Sequence, residues 1–207
     1  APFRRLHLCD YNLEKITDTN TTTTHNLLVD VCLAAKYEGE SLKGYHDKYN
    51  ATYSDSRSQL CTVLARSFAD IGDIVRGKDL YRGNRKKNQN VTEREKLEQK
   101  LKEIFAKIHE ELKNGKTNKE AAKDHYKDDG DNFSQLREDW WDANRETVWK
   151  ALTCDADGSY FRATCGGDNK KTTIRTPNQC RCDGANIVPT YFDYVPQYLR
   201  WFEEWAE

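Results

Sequence analysis

The stretch LCTVLARSFADIGDIVRGKDLY, residues 60–81, decides the fold. Leu60, Leu64, Phe68, Ile71 and Val75 recur at steps of three and four, the period of a helix with one buried face. Just upstream, Ser56 and Gln59 have capping-box spacing, in which each side chain satisfies an orphan amide at the helix start. Asp70 and Asp73 flank Gly72 at a spacing that puts two carboxylates on one helix face, where acids hold metals or move protons. The plainer reading makes them a solvated or capping face, with Arg66, Arg76 and Lys78 near enough to pair. That reading is preferred: scaffold rather than active site.

Four further stretches read as helices. THNLLVDVCLAAKYEG (24–39) places Leu28, Val31, Cys32 and Ala35 on one stripe and is expected to end at Gly39. TEREKLEQKLKEIFAKIHEELKNG (92–115) carries Leu97, Leu101, Ile104, Phe105, Ile108 and Leu112, with Thr92 and Glu95 as a capping box and Gly115 as a stop. SQLREDWWDANRETVWKAL (134–152) presents Leu136, Trp140, Trp141, Val148, Trp149 and Leu152. In VPQYLRWFEEWAE, Pro196 stands where a first helical turn tolerates proline. Tyr198, Leu199, Trp201, Phe202 and Trp205 occupy more than one stripe there, which calls for cover on more than one side. All five tryptophans fall on amphipathic helices and are expected in the core. The intervening segments 17–24, 43–55, 83–90, 115–132 and 155–189 read as irregular. The fold class is all-α with long loops.

Seven cysteines, Cys9, Cys32, Cys61, Cys154, Cys165, Cys180 and Cys182, contain no CxxC and do not space as a zinc site. Disulfides in an oxidising compartment fit better, with an odd cysteine left over. Cys180 and Cys182 flank one residue and are expected to reach different partners. Asn20, Asn50, Asn90 and Asn132 each open an N-x-S/T triplet. The chain has no methionine, reads as an excised piece of a larger protein, and holds no apolar run long enough to cross a bilayer.

No motif supports catalysis. His7, His25, His46, His109 and His125 lack metal-site spacing, and His109 reads as a solvated side chain. Neither GxSxG nor GxxxxGK[ST] occurs, and CGGDNKK (165–171) has no strand feeding it. No cofactor or metal is expected. The 33 basic residues nearly balance 34 acidic ones, so whole-chain charge gives no pull toward nucleic acid. Locally, eight basic residues face three acidic ones between Arg82 and Lys102. Arg82, Arg85, Lys86 and Lys87 in a loop, with Lys96 and Lys100 on the next helix, make a glycan- or receptor-binding candidate. Lys170, Lys171 and Arg175 form a smaller cluster.

Three ordered blocks carry a resemblance: LCTVLARSFADIGDIVRGKDLY, then LREDWW…ETVWKALTC, then CRCDGANIVPTYFDYVPQYLRWFEEWAE. They closely resemble the Duffy-binding-like (DBL) domains of malaria-parasite variant erythrocyte membrane proteins. The opening APFRRLHLCDYNLE looks like the amino-terminal block of the alpha class. The resemblance implies a DBL-type helical bundle with disulfide-tied loops: a loop-rich first subdomain at 1–58, a helical second at 59–207, and a third subdomain largely absent. It implies an extracellular adhesion module on the infected red cell, part of a larger anchored antigen. Its partners would be host erythrocyte receptors, sulfated or blood-group glycans, host antibodies and neighbouring domains of the antigen. Rosetting is the implied activity, with scaffold and antigenic decoy as the alternative. The DIGDI core resembles a family hallmark and is not catalytic.

Overall fold

A computed structural model of the chain describes residues 1–16, 24–52, 60–83, 91–114, 119–156, 165, 179–182 and 187–206. Within them α1 (Phe3–Leu6) and α2 (Tyr11–Glu14) are single turns. The long helices are α3 (Thr24–Thr52), α4 (Leu60–Arg76), α5 (Glu93–Asn114) and α7 (Ser134–Leu152). A short α6 (Lys119–His125) lies between α5 and α7, and a 3-10 turn (Phe192–Tyr194) leads into α8 (Gln197–Ala206). The described residues contain no β-strand.

One apolar core joins α2, α3, α4, α5 and α7, so Leu13 and Leu27 from the expected first subdomain pack in the same cluster as Phe105 and Trp149. Its centre is aromatic: the Phe68 ring lies 5.0 Å from Trp141 and 5.2 Å, edge-on, from Trp149. On α8, Trp201 is buried, whereas Trp205 and Phe202 are 62% and 67% exposed on one outward surface.

Helix ends follow local chemistry. The capping box of α5 forms, with the Thr92 amide donating to Glu95 Oε2 at 2.7 Å and the Glu95 amide to Thr92 Oγ1 at 3.1 Å. At α7 the cap comes from farther back: Asp129 accepts from the Gln135 and Leu136 amides at 3.0 and 2.9 Å. Pro196 precedes α8, and its carbonyl accepts the first helical bonds from Leu199 and Arg200. The Ser56–Gln59 box and the Gly115 stop lie outside the described residues.

Three expectations are corrected. α3 does not end at Gly39 but runs through it to Thr52, so residues 43–52 of the segment read as irregular are helical. Gly39 serves a close approach instead: a Cβ there would stand 2.0 Å from the Leu152 carbonyl oxygen, so its absence lets α3 cross the end of α7. The segment 115–132 is not wholly irregular, since α6 forms within it. His109 is not solvated; it is 7% exposed, with its ring 5.3 Å from Phe133 and 6.1 Å from Tyr126. The residues that cover it sit beyond α5, where helical periodicity carries no information.

Two disulfides tie the loops. Cys61 at the start of α4 bonds Cys180, closing a separation of 119 residues, and Cys165 bonds Cys182 across 17. Cys180 and Cys182, separated by one residue, therefore reach different partners. Cys9, Cys32 and Cys154 carry free thiols. Burial and the neighbouring Glu38 carboxylate push the Cys9 thiol up to about 11, so it is protonated and unreactive at neutral pH.

Candidate functional site

Asp70 and Asp73 are not a solvated face. They are 0% and 3% exposed, because α4 is buried on its polar side as well as its apolar one. The cover comes from opposite ends of the chain. Arg4 on α1 reaches Asp70 Oδ2 at 2.8 Å and also holds Glu204 on α8 at 2.9 Å. Arg200 on α8 reaches Asp70 Oδ1 at 2.8 Å and contacts Asp73 Oδ2. Arg76 Nη2 completes the set, 2.9 Å from Asp73 Oδ1. Lys78 pairs with Glu138 instead.

Burial raises the Asp70 carboxyl, but Arg4, Arg200 and the Gln197 amide outweigh it and hold the group below its ordinary value. Asp73 goes the other way. Burial, reinforced by the Asp70 charge, prevails over Arg200 and Arg76 and pushes it up to about 6.

The rest of the motif is equally engaged. A Cβ on Gly72 would meet Trp141 Cζ2 at 2.8 Å, so glycine is what lets the indole lie against the helix backbone. Trp141 Nε1 donates to Asp193 Oδ2 at 2.9 Å, and Arg145 grips the same carboxylate through two nitrogens, at 2.9 and 2.8 Å. The acids between Ala69 and Ile74 thus lock the terminal segments onto α4. They are scaffold. No group of three or more metal-ligating side chains occurs among the described residues.

Of the basic candidates, Arg82 is exposed just beyond α4. Lys96 pairs with Glu93 at 3.3 Å. Lys100 donates to the Glu14 carbonyl at 2.6 Å, which ties α5 to α2. Arg85, Lys86, Lys87, Lys170, Lys171 and Arg175 lie outside the described residues.

Beside Arg82 opens a cavity of about 390 Å³ whose wall includes Arg94, Lys102, Arg76 and Arg137. Arg137 is fully engaged: its guanidinium donates to the Val75 and Ile74 carbonyls, capping α4, and to both oxygens of Glu98 at 2.7 and 3.0 Å. Arg94 and Lys102 were not singled out by sequence reading. The signal for them is the row Arg94, Glu98, Lys102 at steps of four, running beside the apolar stripe of α5.

A family model for the Duffy binding domain matches residues 1–200. Among solved structures, the NTS-DBL1(alpha-1) domain of Plasmodium falciparum membrane protein 1 (PfEMP1) from the varO strain is 41% identical, with a TM-score of 0.73. The match covers 100% of this chain and 42% of that one. The NTS-DBL1-alpha and CIDR-gamma double domain from the same strain is 42% identical, with a TM-score of 0.76, over 100% of this chain and 27% of that one. A DBLb domain of PfEMP1 bound to human ICAM-1 is 30% identical, with a TM-score of 0.63, over 99% and 39%. The chain thus spans well under half the length of these solved chains. No curated protein matches it.

Proposed function

The chain belongs to the Duffy binding domain family, and from that membership we propose that it is an extracellular host-receptor-binding adhesion module and variant surface antigen, acting in rosetting or cytoadhesion of infected red cells. The family is one of adhesion domains, not enzymes. The observation that carries the reading is identity of 41–42% along the whole chain with DBL1-alpha domains of PfEMP1, against 30–35% with DBLbeta domains. A DBLb relative bound to human ICAM-1 supports receptor binding as the general activity. The proposed setting is the outer face of the infected-erythrocyte membrane, within a larger anchored protein. No described helix is long and apolar enough to cross a membrane.

The contacts proposed here are electrostatic, with sulfated or blood-group glycans or a protein receptor meeting the basic segment that begins at Arg82. Exposed charges of this kind are screened by salt. The oxidised chain is therefore expected to be retained on immobilised heparin and released as ionic strength rises, and Arg85→Ala/Lys86→Ala/Lys87→Ala to elute earlier. Unchanged elution removes that segment from the reading. Binding seen only when neighbouring domains are attached would favour the scaffold-and-decoy alternative.

A further inference from the structure

A second cavity, of about 530 Å³, lies where α1, α3, α4 and α8 meet, with Phe3, Leu42, Tyr45 and Val63 on its apolar side. Its rim is aromatic. Phe3 and Tyr45 are 77% and 70% exposed, and the His7 ring lies 4.1 Å from that of Phe3. Leu42 and Val63, both half-buried, extend the apolar wall, and Leu42 packs against the core. The volume is that of a small-molecule or side-chain site.

The charged side chains of the lining are already committed to one another. Arg4 uses all three guanidinium nitrogens, on Glu204, Ser67 and Asp70. Glu38 is 2% exposed and accepts from the Ser67 hydroxyl at 2.6 Å and the Cys9 amide at 3.1 Å. Burial pushes its carboxyl up despite these donors. Arg66 is buried and engaged as well. Two arginines stand against two glutamates, so the lining is close to neutral and gives a polyanion no pull. A sugar seated here would bury hydroxyls against groups with no spare hydrogen bonds, which is costly. The occupant that fits is uncharged and apolar. Exposed aromatic residues around a ready-made pocket are the anchor points of protein–protein contacts, which favours a side chain presented by a protein.

We infer that this cavity receives one bulky aliphatic or aromatic side chain of a host protein, held at the rim by Phe3 and Tyr45 and seated against Leu42 and Val63. Insertion removes the apolar surface of guest and rim from water together and asks the charged lining for no new hydrogen bond. The inference deepens the adhesion reading above and rests on it only for placing the partner on the red cell.

The test has two arms. In the first, the oxidised, isotope-labelled protein is titrated with N-acetylleucinamide and N-acetylphenylalaninamide, with N-acetylserinamide and methyl glucoside as controls, and backbone amide shifts are followed by nuclear magnetic resonance. Saturable shifts confined to residues around the cavity are expected from the two apolar amides, and Phe3→Ala/Tyr45→Ala, which trims only exposed rings, should weaken binding about tenfold. No saturation, an equal response to the glucoside, or unchanged affinity in the double variant overturns the site. In the second arm, the double variant should bind red cells about tenfold more weakly than the parent protein. Protease treatment of the cells should erase that difference, and heparinase treatment should leave it. Equal binding by the two proteins overturns receptor use of the cavity, and a difference that survives protease overturns the protein partner. Absence of red-cell binding by the parent sinks the adhesion reading, while the first arm still decides the cavity.

Discussion

Arg200 on α8 stands 2.8 Å from Asp70 on α4 across a sequence separation of 130 residues, and both side chains are almost wholly removed from solvent. With Arg4 on the other Asp70 oxygen, the first and last helices are fastened to the same buried acid. This pairing explains how polar residues can fill one face of the central helix. Each buried acid is shared between two guanidiniums in one connected network, so burial does not leave the charges bare.

Removing the acid leaves two guanidiniums buried without it. Asp70→Asn is expected to lower unfolding stability by about 3 to 5 kcal/mol, measured by urea denaturation at pH 7.4. A loss below about 1 kcal/mol would mean that Arg4 and Arg200 find other partners readily.

Asp73 should show the opposite pH dependence from Asp70. Its folded pKa, about 6, lies above the ordinary value of 3.8, so the native state takes up a proton that the unfolded state does not. Its contribution favours the folded state below the unfolded value and is lost as pH rises through about 6. The stability of the native protein relative to Asp73→Asn should therefore shift toward the native protein as pH falls from 7 to 4.5, by on the order of 2 kcal/mol. Asp70 is depressed, so its contribution holds above the unfolded value and fades only as pH falls below it. Parallel pH profiles for the protein and Asp73→Asn would contradict this assignment.

The sequence reached some of this and missed the rest for identifiable reasons. α4, α5, α7 and α8 were legible because each carries an apolar stripe of helical period, and the α5 capping box because both partners lie three residues apart. Arg4 and Arg200 were illegible as partners of Asp70 because nothing local links positions so far apart. Periodicity also misjudged α4 as amphipathic: its polar face is buried by charge pairing, which hydropathy reads as exposure. Gly39 has the composition of a stop but the job of a close contact, which only the position of α7 reveals. At the cavity, Arg82 was found by charge density. Arg94 was passed over because an arginine among glutamates on a helix looks like an ordinary surface residue.

Gly72→Ala tests the glycine between the two acids. The added methyl would meet Trp141 at 2.8 Å, and the indole is held in place by its Nε1 hydrogen bond to Asp193 at 2.9 Å. Overpacking of this kind should cost about 1 to 3 kcal/mol and perturb the near-ultraviolet circular dichroism of the tryptophans. Unchanged spectra and stability would show that the indole is free to withdraw.

The disulfides should contribute unequally. Cys61–Cys180 closes the longer loop, so Cys61→Ser/Cys180→Ser is expected to destabilise by about 4 to 5 kcal/mol, and Cys165→Ser/Cys182→Ser by about 3 kcal/mol. Equal losses in chemical denaturation would contradict the loop-length argument.

Receptor binding by the charge-locked bundle is tested by flow cytometry of the labelled, oxidised protein on intact human erythrocytes. Saturable binding that unlabelled protein competes away and that rising salt weakens is expected; no saturable binding by protein with both disulfides formed would refute the proposed adhesion role.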